Sequence, residues 1–208
     1  MGKLNCRQAE VEEITHFNPA YQLHYEAERK RVTELAQDAA YLLFMSRADV
    51  DQLRSGDPGA YSASWDEGGQ PPFRFFNAYV GKQVVGVADL MTQDKGAWAG
   101  WPIVEPIYVI PDCWKHGVGR KLWARCAEVA RRDGAPGLHV CSLNQNEIAR
   151  KFYEHTLGLT KVSDESLTIG QHVFPATRYE VPNLGDAIGP GEGLSGASSL
   201  VGRHPIVR

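Results

Sequence analysis

The chain has 208 residues, 43% of them hydrophobic and 23% charged, with a formal net charge of −3. That composition fits one globular domain of ordinary size with enough apolar residues for a single core. It offers no basic face for nucleic acid and no apolar run of membrane-spanning length.

The opening MGKLNCRQAE has no apolar stretch of signal-peptide length, and Cys6 stands where a myristoylation signal needs serine or threonine. Four scattered cysteines, Cys6, Cys113, Cys126 and Cys141, do not form a disulfide framework, so reduced thiols and a cytoplasmic setting are expected. Residues 4–9 read as a short strand. Glu10, Glu12 and Glu13 then suit a helix start, where carboxylates meet the positive end of the dipole. Beyond Pro19, apolar residues recur at Val32, Leu35, Ala36, Ala39, Leu42 and Leu43, the spacing of an amphipathic helix. The pattern runs from Tyr21 to about Leu53, too long for one ordinary helix, so two are expected with a break near 45–48 or earlier.

Residues 55–72, rich in Gly, Ser, Pro and Asp, read as an exposed loop. Strands at 73–80 and 84–92 meet in a hairpin at Gly81-Lys82-Gln83, and 94–102 is a loop carrying Trp98 and Trp101. A strand over 105–111 leads to a helix from Gly117 to about Arg132, with Val118, Leu122, Cys126 and Val129 on one face. A strand at 138–143, a helix from Asn144 to about Thr156, and strands near 159–163 and 172–181 follow. From Pro182 onward aliphatics and periodicity fade, so 183–208 is read as a flexible tail beyond one domain of residues 1–182. The alternation in the second half predicts a mixed α/β sheet with helices on both faces.

Two motifs carry chemistry. Lys115-His116-Gly117-Val118-Gly119-Arg120 follows a strand and opens a helix, where unpaired N–H groups, the dipole and two cations suit a phosphate. A dinucleotide fold would need a further glycine where Leu122 stands, so a nicotinamide cofactor is not expected. The second motif is Asn146, Ala149 and Tyr153, spaced three and four apart on one helix stripe. Cys113, His116 and Cys126 lack a fourth ligand, and His139 with Cys141 lacks a matching pair, so no metal site is read. That i, i+2 pair is no better as a thiol nucleophile.

Together these motifs resemble the acyl-CoA-binding core of the GNAT-type N-acetyltransferase superfamily, over roughly residues 4–181. The family turn is Arg or Gln, two residues, Gly, one residue, then Gly or Ala; Gly117 and Gly119 match it, and Trp114 replaces the Arg or Gln. The family helix, Asn-x-x-Ala-x-x-x-Tyr, is met in full, although Gly158 follows Tyr153 by five residues where four are usual. The resemblance implies a mostly antiparallel mixed sheet flanked by helices, with a splayed parallel strand pair at its centre. It implies acetyl-CoA as co-substrate, bound through the backbone of Val109 and Ile110, the turn from Lys115 to Arg120, and Asn144 and Asn146. Tyr153 would protonate the leaving thiolate, and Val109 N–H would polarise the thioester.

An amine acceptor must lose a proton before attack. Glu105 is the candidate base, placed by strand alternation on one face with Ile107 and Val109. Asp89, Asp112 and ordered water stay open as alternatives. Trp98, Trp101 and Tyr108 either line an aromatic acceptor pocket or cap the core. The expected partner is a small-molecule or peptide amine, with neither nucleic acid nor membrane, and a homodimer enters only as a prior. Residues 16–26 identify no acceptor. A non-catalytic CoA-binding sensor on the same fold is the competing reading.

Overall fold

The computed structural model describes residues 4–14, 19–55, 73–92, 100–169 and 172–184. Ser55, expected to open a loop, instead ends a helix, and the rest of that expected loop (56–72), Trp98 and almost all of the expected tail fall outside the described residues. Seven strands form one sheet in the order β1-β2-β3-β4-β5-β7-β6. They are β1 (Glu10–Glu13), β2 (Phe73–Val80), β3 (Gln83–Met91), β4 (Ile103–Val109), β5 (Leu138–Leu143), β6 (Thr160–Ile169) and β7 (His172–Val181). Every neighbouring pair is antiparallel except β4 and β5, as the family resemblance implies.

Helices α1 (Pro19–Tyr41) and α2 (Arg47–Ser55) are separated near the expected break, and α3 (Val118–Arg132) begins one residue after its expected start. On α3, Val118, Leu122, Cys126 and Val129 are all buried, as their spacing requires. Gly86 of β3 faces this helix, since a Cβ there would lie 3.0 Å from Leu122 and 3.1 Å from Val118. Asp89, an odd number of residues along the strand, points to the other face and bonds Arg29 of α1. One helix therefore covers each side of the central strands.

The N-terminus departs from expectation twice. Residues 4–9 form no strand: Cys6–Gln8 is a single 3₁₀ turn, and the acidic run is β1 itself. Edge pairing explains this, with Val11 opposite Ala78 and the nearly buried Glu13 carboxylate meeting Arg74 at 2.9 Å, Arg125 at 3.7 Å and Arg132 at 3.8 Å. The Glu13 carboxylate answers arginines across the fold, not a helix dipole. The thiol expectation also fails in part. Cys6 and Cys113 are joined by a disulfide, and Cys126 and Cys141 are free. A bridge between residues 107 apart cannot be read from spacing; folding brings the two Cα atoms to 5.3 Å.

Leu184, inside the expected tail, is 4% exposed and packs into the main core. The second closing strand matches expectation, whereas β6 runs on to Ile169 as the sheet edge.

Because the Cys6–Cys113 bridge closes a loop of 107 residues, reduction should lower unfolding free energy by about 4 kcal/mol. Urea unfolding with and without a phosphine reductant measures this, and Cys6→Ser should show no reductant dependence.

Candidate active site

The site is built where β4 and β5 part. Across β3 and β4 the register slips by one, so that Asp89 stands opposite both Glu105 and Pro106. This is a β-bulge, and Pro106 sits in it because a bulged position needs no ladder N–H. On its far side β4 pairs with β5 only at Ile103 and His139, where His139 N–H also donates to Pro102 at 3.2 Å. Beyond that point the two strands make no further pair, and a wedge opens between their C-terminal halves.

The bulge also corrects the placement of Glu105. Residues opposite one another share a face, so Val104, Ile107 and Val109 follow Leu90, Ala88 and Gly86 toward α3. Glu105 lies with Asp89 and Tyr108 on the α1 side, not with Ile107 and Val109. Asp89 is engaged there: Arg29 binds it, and also donates to Asn77 Oδ1 at 2.7 Å and Phe76 C=O at 3.2 Å. With Arg29 4% exposed and the Asp89 side chain 7%, this is a buried structural ion pair. Tyr108 accepts a hydrogen bond from Gln37 at 3.0 Å, which fixes its ring against α1. Trp101 is spent on packing, since a Cβ on Gly137 would fall 2.3 Å from its ring.

Backbone groups at the end of β4 divide between two edges. Ile110 N–H donates to Val85 at 3.0 Å, and its carbonyl accepts from Cys113 N–H at 2.9 Å. Both of its groups are engaged, so of the expected pair only Val109 turns its backbone to the wedge.

The phosphate turn is preserved in shape. Lys115 and Gly117 both take positive φ, 63° and 85°, which reverse the chain into α3. The first intrahelical bond runs from Lys121 N–H to Gly117 C=O at 3.0 Å, and among the described residues no side chain caps the N–H groups before it. Lys115, His116 and Gly117 are exposed around them, while Val118 is buried. Gly119 also has a packing role. A Cβ there would lie 3.2 Å from the Phe152 ring, so its absence brings α3 against the helix that carries Tyr153. Arg120 reaches the same place, donating to Thr156 C=O at 3.0 Å.

After β5, Asn146 accepts from Ala149 N–H at 3.1 Å and caps α4 (Glu147–Lys151). Asn144 accepts from Thr177 at 2.7 Å and, through its carbonyl, from Arg150 at 3.3 Å. Both asparagines thus have structural work at the end of β5. The helix continues as a π turn, Phe152–Thr156, closed by Leu157 N–H on Phe152 C=O at 3.0 Å. This wider turn lies in the interval lengthened by one residue, between Tyr153 and Gly158, and takes up the extra residue there.

Tyr153 is 5% exposed, its ring 5.4 Å from Phe152, 5.7 Å from Tyr179 and 6.5 Å from Trp123. Among the described residues no group hydrogen-bonds its hydroxyl. Burial pushes the phenol well above its ordinary range, and the next contributions come from Tyr41, Cys141, Tyr179 and Cys126. Tyr41 belongs to α1 and Cys126 to α3, so groups from both faces of the sheet contribute to its electrostatics. Tyr179 donates to Glu154 at 2.7 Å and braces the π turn from behind. Cys141 of β5 is exposed as a residue; partial desolvation of its thiol raises its pKa, and Glu165 and Glu105 add to the rise against Arg178.

A family model described as the acetyltransferase (GNAT) family matches residues 29–159. No curated protein matches. Among solved structures, a GCN5-related N-acetyltransferase from Rhodopseudomonas palustris is 18% identical with a TM-score of 0.59, covering 84% of this chain and 96% of that one. A Bacillus subtilis acetyltransferase in complex with CoA is 14% identical with a TM-score of 0.51, covering 85% and 99%. A streptothricin acetyltransferase from Bacillus anthracis in complex with acetyl-CoA is 23% identical with a TM-score of 0.48, covering 55% of this chain and 64% of that one.

His139, at the single β4–β5 pairing, is fully buried, and burial with nearby Arg178 lowers its pKa from 6.5 to about 4. The unfolded chain binds a proton that the folded one refuses, so stability should fall as pH drops from 6.5 toward about 4. The total loss should be on the order of 2 to 3 kcal/mol. Denaturant unfolding across this range measures it, and the slope should flatten in His139→Phe.

Proposed function

The chain belongs to the GNAT acetyltransferase family, whose members use acetyl-CoA as co-substrate, and we propose that it moves the acetyl group directly to an amine. The observation that carries this reading is Tyr153: a buried phenol kept protonated, next in the chain to Phe152, whose ring packs on Gly119 of the turn suited to phosphates. The uncapped start of α3 would hold the pyrophosphate through the N–H groups of Val118, Gly119 and Arg120, with Lys115 and His116 at its rim. The thiol arm would then lie in the wedge, where Val109 N–H meets the thioester carbonyl as charge develops on oxygen.

In this reading the amine enters from the α1 side, where Glu105 or an ordered water takes its proton. Asp89 is set aside, because it is already paired with the buried Arg29. Attack on the carbonyl carbon forms the new C–N bond, the C–S bond breaks, and Tyr153 supplies the proton that sulfur needs. Burial keeps the phenol protonated and also makes it a weaker acid, so its proton would pass to sulfur only as thiolate charge develops against it. Holding both reactants in one wedge would supply most of the acceleration. The acceptor class remains a small-molecule or peptide amine.

No described helix is long and apolar enough to cross a membrane. A cytoplasmic location is retained in this proposal, with the disulfide shielded by burial of Cys6 to 2% and Cys113 to 1% exposure.

Acetyl-CoA at about a hundred times its Kd should raise unfolding free energy by roughly 2.7 kcal/mol, whereas NADH should leave the melting temperature unchanged. In an amine screen followed by thiol release, Tyr153→Phe should lower kcat by about 10²-fold with CoA affinity retained. Unchanged turnover in that variant would sink the acid assignment, and CoA binding without turnover for any amine would favour the sensor reading.

A further inference from the structure

Trp114 occupies the one position where the turn departs from its family pattern, and its side chain is not idle. The indole Nε1–H donates to the carbonyl of Val109 at 2.6 Å. Two backbone bonds bring it there: Cys113 N–H to Ile110 C=O at 2.9 Å, and Trp114 N–H to Pro111 C=O at 3.0 Å. They close the 3₁₀ turn Pro111–Cys113, which reverses the chain so that residue 114 falls back over the end of β4. The ring is half-buried and packs against the main core, so its position is fixed by contacts beyond the one hydrogen bond.

The acceptor is what gives this bond its consequence. Residue 110 turns its backbone to β3, so Val109 turns its own to the edge that β5 has abandoned. An unpaired edge offers a ligand both a donor and an acceptor. Here one lone pair of the acceptor is already engaged by the protein, and the donor of the same residue is left facing the wedge. A ligand reaching this point therefore meets Val109 chiefly as an N–H.

We propose that Trp114 is a positioning residue: its indole clamps the Val109 carbonyl so that the Val109 N–H is held toward the thioester oxygen. The proposal rests on the acetyltransferase reading and adds to it a side chain that shapes catalysis from the place of a lost phosphate contact. It separates two roles for residue 114. A phosphate ligand alters CoA affinity, whereas a clamp alters polarisation of the acyl carbonyl.

The test uses the full chain and acetyl-CoA labelled with ¹³C at the carbonyl, without need of an acceptor. Isotope-edited infrared spectra should show the thioester carbonyl stretch lowered on binding to the wild-type protein. In Trp114→Phe it should return toward the value of free acetyl-CoA, while calorimetric Kd for CoA changes by less than about threefold. Trp114→Arg, which restores the family residue, should lose the shift as well, even where it binds CoA more tightly. A fully retained shift in Trp114→Arg and Trp114→Phe would overturn the clamp. So would a wild-type complex with no shift. Absence of acetyl-CoA binding by the wild-type protein would instead overturn the functional reading, and this one with it. Because a variant can fail to fold, exchange of the Trp114 indole proton is followed in the wild-type protein. Slow exchange supports the clamp, and exchange at the free-indole rate overturns it.

Discussion

The molecule is organised around a failure of pairing. Two adjacent parallel strands, β4 and β5, meet at Ile103 and His139 and then separate, and everything that resembles a site lies along that separation. A gap in the middle of a sheet is costly, because it exposes backbone donors and acceptors where the ladder should satisfy them. The protein offsets this from both strands. The Asp89/Glu105-Pro106 bulge bends β4 away with a residue that has no N–H to lose. Trp114 covers the Val109 carbonyl, and β5 keeps a full antiparallel partner in β7.

Splayed strands need rigid supports, and the supports differ on the two faces. Toward α3 they are apolar and aromatic: Leu122, Trp123, Tyr153 and Tyr179, all within the main core. Toward α1 they are charged, with Arg29 joined to Asp89, Asn77 and the Phe76 carbonyl and stacked 5.0 Å from the Phe75 ring. A pair desolvated to this degree gains little net energy over a well-packed apolar substitute. Removing either partner, however, would leave an uncompensated charge, which makes the helix position unforgiving. The two faces thus differ in chemistry, one apolar and aromatic and the other charged.

The two motifs are also mechanically joined. Gly119 lets the Phe152 ring approach α3, and Arg120 holds the carbonyl of Thr156. The turn suited to phosphates and the helix carrying the candidate acid therefore form one packed unit. The extra residue between Tyr153 and Gly158 is absorbed in the π turn without breaking that unit.

Much of this was legible in the chain, because it depends on local periodicity and turn chemistry. The spacing of Val118, Leu122, Cys126 and Val129 specifies α3, the glycines specify its start, and Asn146, Ala149 and Tyr153 align on one helix. Family and co-substrate follow from these short-range patterns. What lay beyond reach depends on pairs distant in sequence. The acidic run 10–13 became a strand because arginines far along the chain meet Glu13, and Cys6 found Cys113 only through the fold. Glu105 lies on the α1 face because a register slip against Asp89 reverses the alternation that sequence alone would assign. Local physics is written residue by residue, so the sequence determined the elements and the chemistry they hold. Which face, which edge and which partner each group meets is set by register and closure, and only the tertiary structure decided those.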